Sequence, residues 1–189
     1  MLIFRDFIKK DEFMSDIFKY ELTYDDVIMK VQTHYTKKEE VGNIDIGRGD
    51  AFGKGEEDDG PGGDEPAEKV IDVVYNSNLQ PVHMSKKEFM AYVKEYFKKI
   101  VAFLEENGKK DRIDTFKKGA TDFIKFIVPH YDEIELYTGA SHNDEDDLEG
   151  GIVIQYWEDE SAAAPVLYLF KFLLFILFVF KKIYKINYL

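Results

Sequence analysis

The sequence predicts an α+β protein in which a mostly antiparallel β body carries a projecting pair of helices. Three observations lead to this fold class. Short apolar segments separated by charged turns make up most of both ends of the sequence. Two segments with the apolar spacing of amphipathic helices lie in the middle. Predicted strands and helices do not alternate along the chain. Because a parallel sheet needs such alternation, the pattern favours antiparallel strands.

The N-terminal part contains short strand-like segments followed by an acidic stretch. Apolar segments at residues 2–4, 26–31 and 41–46 are separated by charged turns, which is typical of brief strands. Residues 47–69 are rich in Gly, Pro and acidic side chains and offer almost nothing to bury, so they predict a mobile acidic loop. The β-branched residues 70–75 predict another strand.

Residues 85–128 predict an antiparallel helical hairpin. Ser85 and Glu88 have the spacing of a capping box, in which a hydroxyl and a carboxylate bind free amides at a helix start. Apolar residues then recur at helical spacing until an Asn-Gly pair ends the run. A second helix is predicted over residues 111–128 and ends before a proline. The short connection makes the two helices antiparallel neighbours.

Three further strands are predicted after the hairpin. They cover residues 133–137, 151–157 and 165–170, and a second acidic loop at residues 143–147 separates the first two. Residues 1–170 together are long and apolar enough to form a single domain.

Charge is distributed unevenly along the chain. The formal net charge is −12, and residues 1–170, with 21 basic and 37 acidic side chains, have a net charge of −16. Residues 86–125 differ, because they contain eleven basic and seven acidic side chains and have a net charge of +4. The sequence therefore predicts a basic helical arm on an acidic body that repels nucleic acid.

Several classes of function have little support in the sequence. The chain has no cysteine, which excludes a disulfide framework and a thiolate zinc site. The four histidines lack metal-ligand spacing, so we predict neither a structural metal nor a required cofactor. No nucleophile motif or phosphate-binding loop is present, and we expect a non-enzymatic protein. The N-terminal apolar segment is too short for a signal peptide, which predicts a cytoplasmic location.

Separated motifs over about residues 1–170 resemble the translationally controlled tumour protein family. The matching segments are residues 1–6, 11–16, 42–45, 70–74, 89–97 and 116–120, in the order found in the family. The resemblance implies a β-tent body with the helical hairpin and the acidic loop. It further implies calcium binding, association with tubulin and microtubules, and a part in growth and survival control. A family proposal of guanine nucleotide exchange on a Ras-like small GTPase is the alternative.

Two acidic clusters are candidates for the weak calcium binding that the resemblance implies. Calcium prefers six to eight oxygen ligands in a flexible cage. Neither cluster has the alternation of an EF-hand loop, so solvated acidic loops are the other interpretation. The candidate ligands are Glu56, Glu57, Asp58, Asp59, Asp144, Glu145, Asp146 and Asp147.

Glu12 matches the position on which the family's GTPase proposal depends. A carboxylate near a nucleotide site can compete for magnesium or for the phosphate-binding lysine, which is one route to nucleotide exchange. The alternative is a turn or cap beside a short strand, with Asp11 and Ser15 as local hydrogen-bond acceptors.

The basic face of the hairpin is a candidate contact for tubulin, whose exposed tails are acidic. The alternative is the ordinary solvated face of two amphipathic helices. The candidate residues are Lys94, Lys98, Lys99, Lys117 and Lys118.

The C-terminal segment 171–189 departs from the family pattern and becomes strongly apolar. Residues 162–180 are long enough to cross a bilayer, so a tail-anchored membrane protein is a less favoured alternative, opposed by the charge of Lys171 near the centre of that segment. Of the 19 residues from Lys171 onward, 18 are of six types that codons containing only A and T can encode. This bias suggests an artefact of the gene model, and membrane contact is expected only if the segment is genuine.

Overall fold

Strands form most of the elements of the protein. The computed structural model describes residues 2–38, 68–142, 148–159, 161–171 and 174–178. The helices are α1 (Asp72–Asn76), α2 (Lys86–Glu106) and α3 (Asp111–Ile127), and a 3₁₀ turn follows at Val128–Glu133. The strands are β1 (Leu2–Asp6), β2 (Glu12–Ser15), β3 (Tyr20–Thr23), β4 (Ile28–Gln32), β5 (Tyr35–Lys37), β6 (Lys69–Ile71), β7 (Gln80–Val82), β8 (Glu135–Thr138), β9 (Val153–Tyr156), β10 (Val166–Phe170) and β11 (Leu174–Phe178).

The described strands form three sheets in which every pairing is antiparallel. The large sheet has the order β3-β4-β10-β9-β8-β7, a smaller sheet has the order β11-β1-β2, and β5 pairs with β6. Pro81 lies in β7, at an edge of the large sheet, where a strand tolerates a residue without an amide proton. The predicted α+β class is confirmed.

The central strand β10 is buried on both faces. Tyr168 and Phe170 belong to an apolar cluster between the large sheet and the hairpin, whereas Leu167 and Leu169 belong to a second cluster on the opposite face. Successive side chains of a strand point to opposite faces, so a strand covered on both sides is apolar throughout. This explains the unbroken apolar sequence of β10, and it confirms the strand predicted there.

The hairpin packs against the large sheet through aromatic rings. Phe123 of α3 lies with its ring centroid 5.4 Å from that of Tyr24, 5.2 Å from that of Tyr168 and 5.7 Å from that of Phe170. Gly119 lies one turn earlier, and a Cβ placed there would be 2.1 Å from the carbonyl oxygen of Tyr24. The absence of a side chain at Gly119 therefore lets α3 approach the turn between β3 and β4.

The strand predicted over residues 70–75 is wrong beyond Ile71, because α1 begins at Asp72. The Asp72 carboxylate accepts hydrogen bonds from the backbone amides of His34 and Val73, at 3.0 and 2.8 Å. These bonds turn the chain, and the helix then buries Val73 completely in the second cluster. Tertiary packing overrides the β propensity of this segment.

The three strands predicted after the hairpin are confirmed, although their bounds differ from the prediction. The 3₁₀ turn delays β8 until Glu135, and β9 covers only residues 153–156 of the predicted 151–157. The predicted strand at residues 41–46, residues 47–67 of the acidic loop predicted at 47–69, and the acidic loop at 143–147 lie outside the described residues. Lys69, the last residue of that predicted loop, begins β6 instead.

The segment after Lys171 adds a strand that the sequence analysis did not predict. β11 pairs with β1, with Leu2 opposite Phe178 and Asp6 opposite Leu174. Residues 172–173 and 179–189 lie outside the described residues, and the gene-model artefact remains a prediction. Among the described residues, no helix is both long enough and apolar enough to cross a membrane.

Candidate functional site

Local sequence signals fix the start of the hairpin. The Glu88 amide donates a hydrogen bond to the Ser85 hydroxyl at 3.3 Å, and the Ser85 amide donates one to the Glu88 carboxylate at 2.7 Å. The predicted capping box is confirmed. The bond from the Ser85 amide also lowers the pKa of Glu88, since it favours the ionised carboxylate.

The outer face of the hairpin contains a shallow apolar groove, here called the hairpin groove. It consists of two adjoining concavities of about 440 and 380 Å³ that share Lys94, Phe97 and Thr121. Its apolar lining comes from both helices and from the start of the 3₁₀ turn. The apolar lining residues are Met90, Val93, Phe97, Val101, Ala102, Phe116, Ile124, Val128 and Pro129.

Three of the five predicted tubulin contacts line the hairpin groove, namely Lys94, Lys98 and Lys117. Lys125, which the sequence analysis did not single out, also lines it, as does one acidic residue, Glu105. Lys98 and Lys125 pair with acidic neighbours on their own helices, at 2.7 Å from Glu95 and 3.1 Å from Asp122. Such exposed pairs contribute little to stability and leave both lysines available to another acidic group.

The remaining two predicted lysines do not line the groove. Lys118 forms a salt bridge of 2.8 Å with Asp25 in the turn between β3 and β4, and this bond raises the pKa of Lys118. Lys99 is exposed on α2 and lines neither concavity. Three of the five predicted lysines therefore line the groove, and Lys99 and Lys118 lie outside its lining.

Glu12 begins β2, which is an edge strand of the small sheet. Its carboxylate forms a salt bridge with Arg5 on the neighbouring strand β1. The side chain remains about half exposed, at 47%. The structure thus leaves Glu12 accessible and gives it a cationic partner.

Asp11, beside Glu12, makes a long-range contact that the sequence analysis missed. Its carboxylate accepts hydrogen bonds from the Ser141 amide at 3.2 Å and from the Ser141 hydroxyl at 2.6 Å. A Cβ on Gly139 would lie 2.3 Å from Asp11, so this approach depends on a glycine. No local pattern could reveal the pairing, since it joins residues 130 positions apart.

Asp6 is a buried acidic residue that the sequence analysis also missed. It is 0% exposed, and its carboxylate accepts hydrogen bonds from the amides of Ile8 and Lys9 at 3.1 and 2.7 Å. Burial raises the pKa of Asp6, and the amide bonds oppose that effect. Asp6 lies two residues after Phe4 in β1, and side chains at this spacing in a strand point to the same face. This spacing could have predicted that Asp6 is buried.

Tyr92 of α2 joins this region to the hairpin. Its hydroxyl donates a hydrogen bond to the carbonyl oxygen of Gly150, and burial raises the pKa of Tyr92 well above its ordinary value. A Cβ on Gly150 would lie 3.5 Å from the Asp6 carboxylate. A buried polar contact zone therefore lies where β1, α2 and residues 148–151 meet.

The calcium candidates are not placed by the structure. Residues 56–59 and 144–147 lie outside the described residues. Among the residues that are described, no group of three or more His, Asp or Glu side chains could hold a metal ion.

Comparisons with known proteins agree on one family. A family model described as translationally controlled tumour protein matches residues 1–174. A translationally-controlled tumor protein homolog of Candida albicans is 39% identical over 145 residues, covering 75% of this chain and 80% of the relative. A homolog of the same name from Plasmodium yoelii yoelii is 34% identical over 176 residues, covering 89% of this chain and 95% of the relative.

Solved structures of similar proteins share the fold. The Schizosaccharomyces pombe protein p23fyp, a translationally controlled tumor-associated protein, superposes with a TM-score of 0.72 at 28% identity, covering 93% of this chain and 98% of its own. The translationally-controlled tumor protein of Caenorhabditis elegans superposes with a TM-score of 0.63 at 25% identity, covering 96% and 100% of the two chains.

Proposed function

The chain belongs to the translationally controlled tumour protein family, and on that premise we propose that it is a cytoplasmic, non-enzymatic regulatory protein that binds tubulin. The observation that carries the proposal is the hairpin groove, which combines an apolar floor with the cationic side chains of Lys94, Lys98 and Lys117. On a chain of net charge −12, this basic surface suits an acidic partner. Binding there would link the protein to microtubules and so to growth and survival control.

Microtubule cosedimentation tests the tubulin contact. The variant Lys94→Glu/Lys117→Glu reverses two groove charges that have no salt-bridge partner among the described residues. We expect roughly tenfold weaker binding at low salt, because attraction toward the acidic tubulin tails becomes repulsion. Binding of the unaltered chain should also weaken at higher salt, which screens exposed charges.

The matched control is Lys99→Glu/Lys110→Glu, which makes the same change of charge on exposed hairpin residues outside the groove. It should bind at least severalfold better than the groove variant at the same salt. Equal losses in the two variants would mean that net charge, and not the groove, governs binding. If the unaltered chain does not bind microtubules at low salt, the tubulin proposal is wrong.

Weak calcium binding is the second part of the proposal. The acidic residues 56–59 and 144–147 supply the oxygen ligands that calcium prefers, without the fixed spacing of a tight site. We expect an affinity of about 10⁻⁴ to 10⁻³ M, the range of loosely built sites. Calorimetry with no heat, together with an amide NMR spectrum that several millimolar calcium leaves unchanged, would exclude it.

Guanine nucleotide exchange on a Ras-like small GTPase is the alternative function. The observation that favours it is the half-exposed Glu12 carboxylate on an edge strand. To bind magnesium or a phosphate-binding lysine, this carboxylate would have to break its salt bridge with Arg5. A nucleotide-release assay should then show acceleration by the chain, loss of acceleration in Glu12→Gln, and no loss in the exposed control Asp16→Asn. Unaltered release rates with the native chain would contradict this function.

A further inference from the structure

A second groove, larger than either concavity of the hairpin groove, lies between β1, β3 and the region where α2 connects to α3. Its volume is about 750 Å³, within the range of roughly 300–1,000 Å³ that is usual for small-molecule sites. Leu2 and Phe4 of β1, Leu22 of β3 and Met29 of β4 form much of its floor. We call it the β1–β3 groove.

The floor of the β1–β3 groove leaves apolar side chains uncovered. Tyr20 is 40% exposed and Leu22 is 37% exposed, and both line the groove. They are two of only five large apolar side chains that are strongly exposed among the described residues. Adjacent exposed apolar residues in a concave site indicate a ligand that covers them.

Most of the charged residues that line the groove are cationic. Lys109 lies in the hairpin turn, Arg112 lies in the first turn of α3 and Lys171 follows β10, against a single acidic lining residue, Asp111. Lys109 and Lys171 form no salt bridge with a described residue. Phe7 and Phe103, whose ring centroids are 4.8 Å apart, add to the apolar lining of the groove.

We propose that the β1–β3 groove binds a long-chain carboxylate of the fatty-acid type. The alkyl chain lies over Leu2, Phe4 and Leu22, and the carboxylate meets the cations at the hairpin turn. Lysine suits this contact, since a hydrogen bond from its ammonium group to a carboxylate is charge-assisted and stronger than a neutral one. The partner is a free molecule and not an anionic bilayer, because the site is concave and the net charge of −12 repels such a surface.

A homologous series of saturated carboxylates from eight to fourteen carbons, each kept below its micelle concentration, tests the proposal on the full chain. Burial of each added methylene should tighten binding roughly fourfold until the groove is filled. The uncharged alcohol of the same length should bind at least tenfold more weakly, because it lacks the charge that the cations attract. Amide NMR shifts should centre on residues 20–22 and 109–112.

Two pairs of variants separate the apolar and ionic contributions. Leu22→Asn should weaken binding at least fivefold, whereas Ile17→Asn, at a more exposed apolar residue outside the groove, should not. Lys109→Glu should reduce affinity for the carboxylate and leave affinity for the alcohol unchanged, and Lys110→Glu should change neither. Circular dichroism confirms that each variant is folded.

Three results would overturn the proposal. The first is an affinity that does not depend on chain length. The second is equal loss in Leu22→Asn and Ile17→Asn, which would indicate nonspecific adsorption. The third is binding only to vesicles that contain anionic lipid, which would make the ligand a membrane surface. None of these outcomes bears on tubulin binding, because the β1–β3 groove and the hairpin groove share no lining residue.

Discussion

The helical hairpin and the β1–β2 corner are held in place by different kinds of contact. The hairpin packs apolar rings such as Phe123 onto the large sheet. The corner, formed by residues 6–11 with 139–141 and 148–151, depends on polar contacts of Asp6 and Asp11. The stability gained from apolar burial does not depend on protonation, whereas the contribution of a buried carboxylate to stability does. Substitutions in the hairpin should therefore change stability alone, and substitution of Asp6 in the corner should also change the pH dependence of stability.

The largest effect is expected for Phe123→Ala. Phe123 is buried against Tyr24, Tyr168 and Phe170, so its removal leaves a cavity between α3 and the sheet. The free energy of unfolding should fall by about 3–5 kcal/mol, as measured by urea denaturation. Ile17→Ala, at a residue that is 68% exposed, is the control and should change it by less than about 0.5 kcal/mol. Similar losses in both variants would contradict the proposed attachment of the hairpin.

Gly119→Ala should have the next largest effect. The new methyl group would meet the Tyr24 carbonyl at 2.1 Å and the Val27 side chain at 2.6 Å, which forces α3 away from the sheet. We expect a loss of about 1–3 kcal/mol in the free energy of unfolding, despite the better helix propensity of alanine. An alanine that stabilises the protein would show that the helix and the turn do not approach this closely.

Ser85→Ala should have a smaller effect, because it removes one cap of α2 and no apolar contact. The loss of the hydrogen bond from the Glu88 amide should reduce the free energy of unfolding by about 1 kcal/mol. Ser85→Asp retains an acceptor and should restore most of the stability. If Ser85→Asp were as unstable as Ser85→Ala, the cap would not account for the loss.

The fourth prediction concerns the pH dependence that Asp6 confers on the corner. Its pKa is higher in the folded protein than in the unfolded chain, so the folded state binds the proton more tightly. The contribution of Asp6 to stability is therefore fully present below its unfolded pKa of about 3.9 and is lost as the pH rises through its folded pKa. Urea denaturation between pH 4 and pH 8 should show Asp6→Asn gaining stability relative to the native chain as the pH rises. A difference that stays constant over this range would contradict the raised pKa.

Much of the hairpin could be predicted because its signals are local. The Ser85 cap and the apolar spacing of α2 and α3 act within a few residues, so one stretch of sequence contains both the pattern and its cause. Even there, the sequence did not separate Lys94 and Lys117 from Lys99 and Lys118. That division depends on which face of each helix borders the groove and on the bond from Lys118 to Asp25.

The Asp11 contact in the corner and the small helix α1 could not be predicted, since their causes are distant in sequence. Asp11 bonds to Ser141, 130 residues away, and Asp72 turns the chain by bonding to the amide of His34. β11 posed a related problem. Its pairing with β1, at the opposite end of the described chain, is not visible in its local apolar pattern.

The position of β10 in the large sheet has a consequence for how the chain acquires its fold. β10 pairs with β4, and the Thr33 hydroxyl donates a hydrogen bond to the Pro165 carbonyl across 132 residues. A sheet closed by such distant segments has a high contact order and folds slowly. On the ribosome, β4 is made long before its partner, and its apolar side chains stay uncovered until then. The large sheet is therefore complete only after β10 has been synthesised, and until then the apolar side chains of β4 are exposed to aggregation.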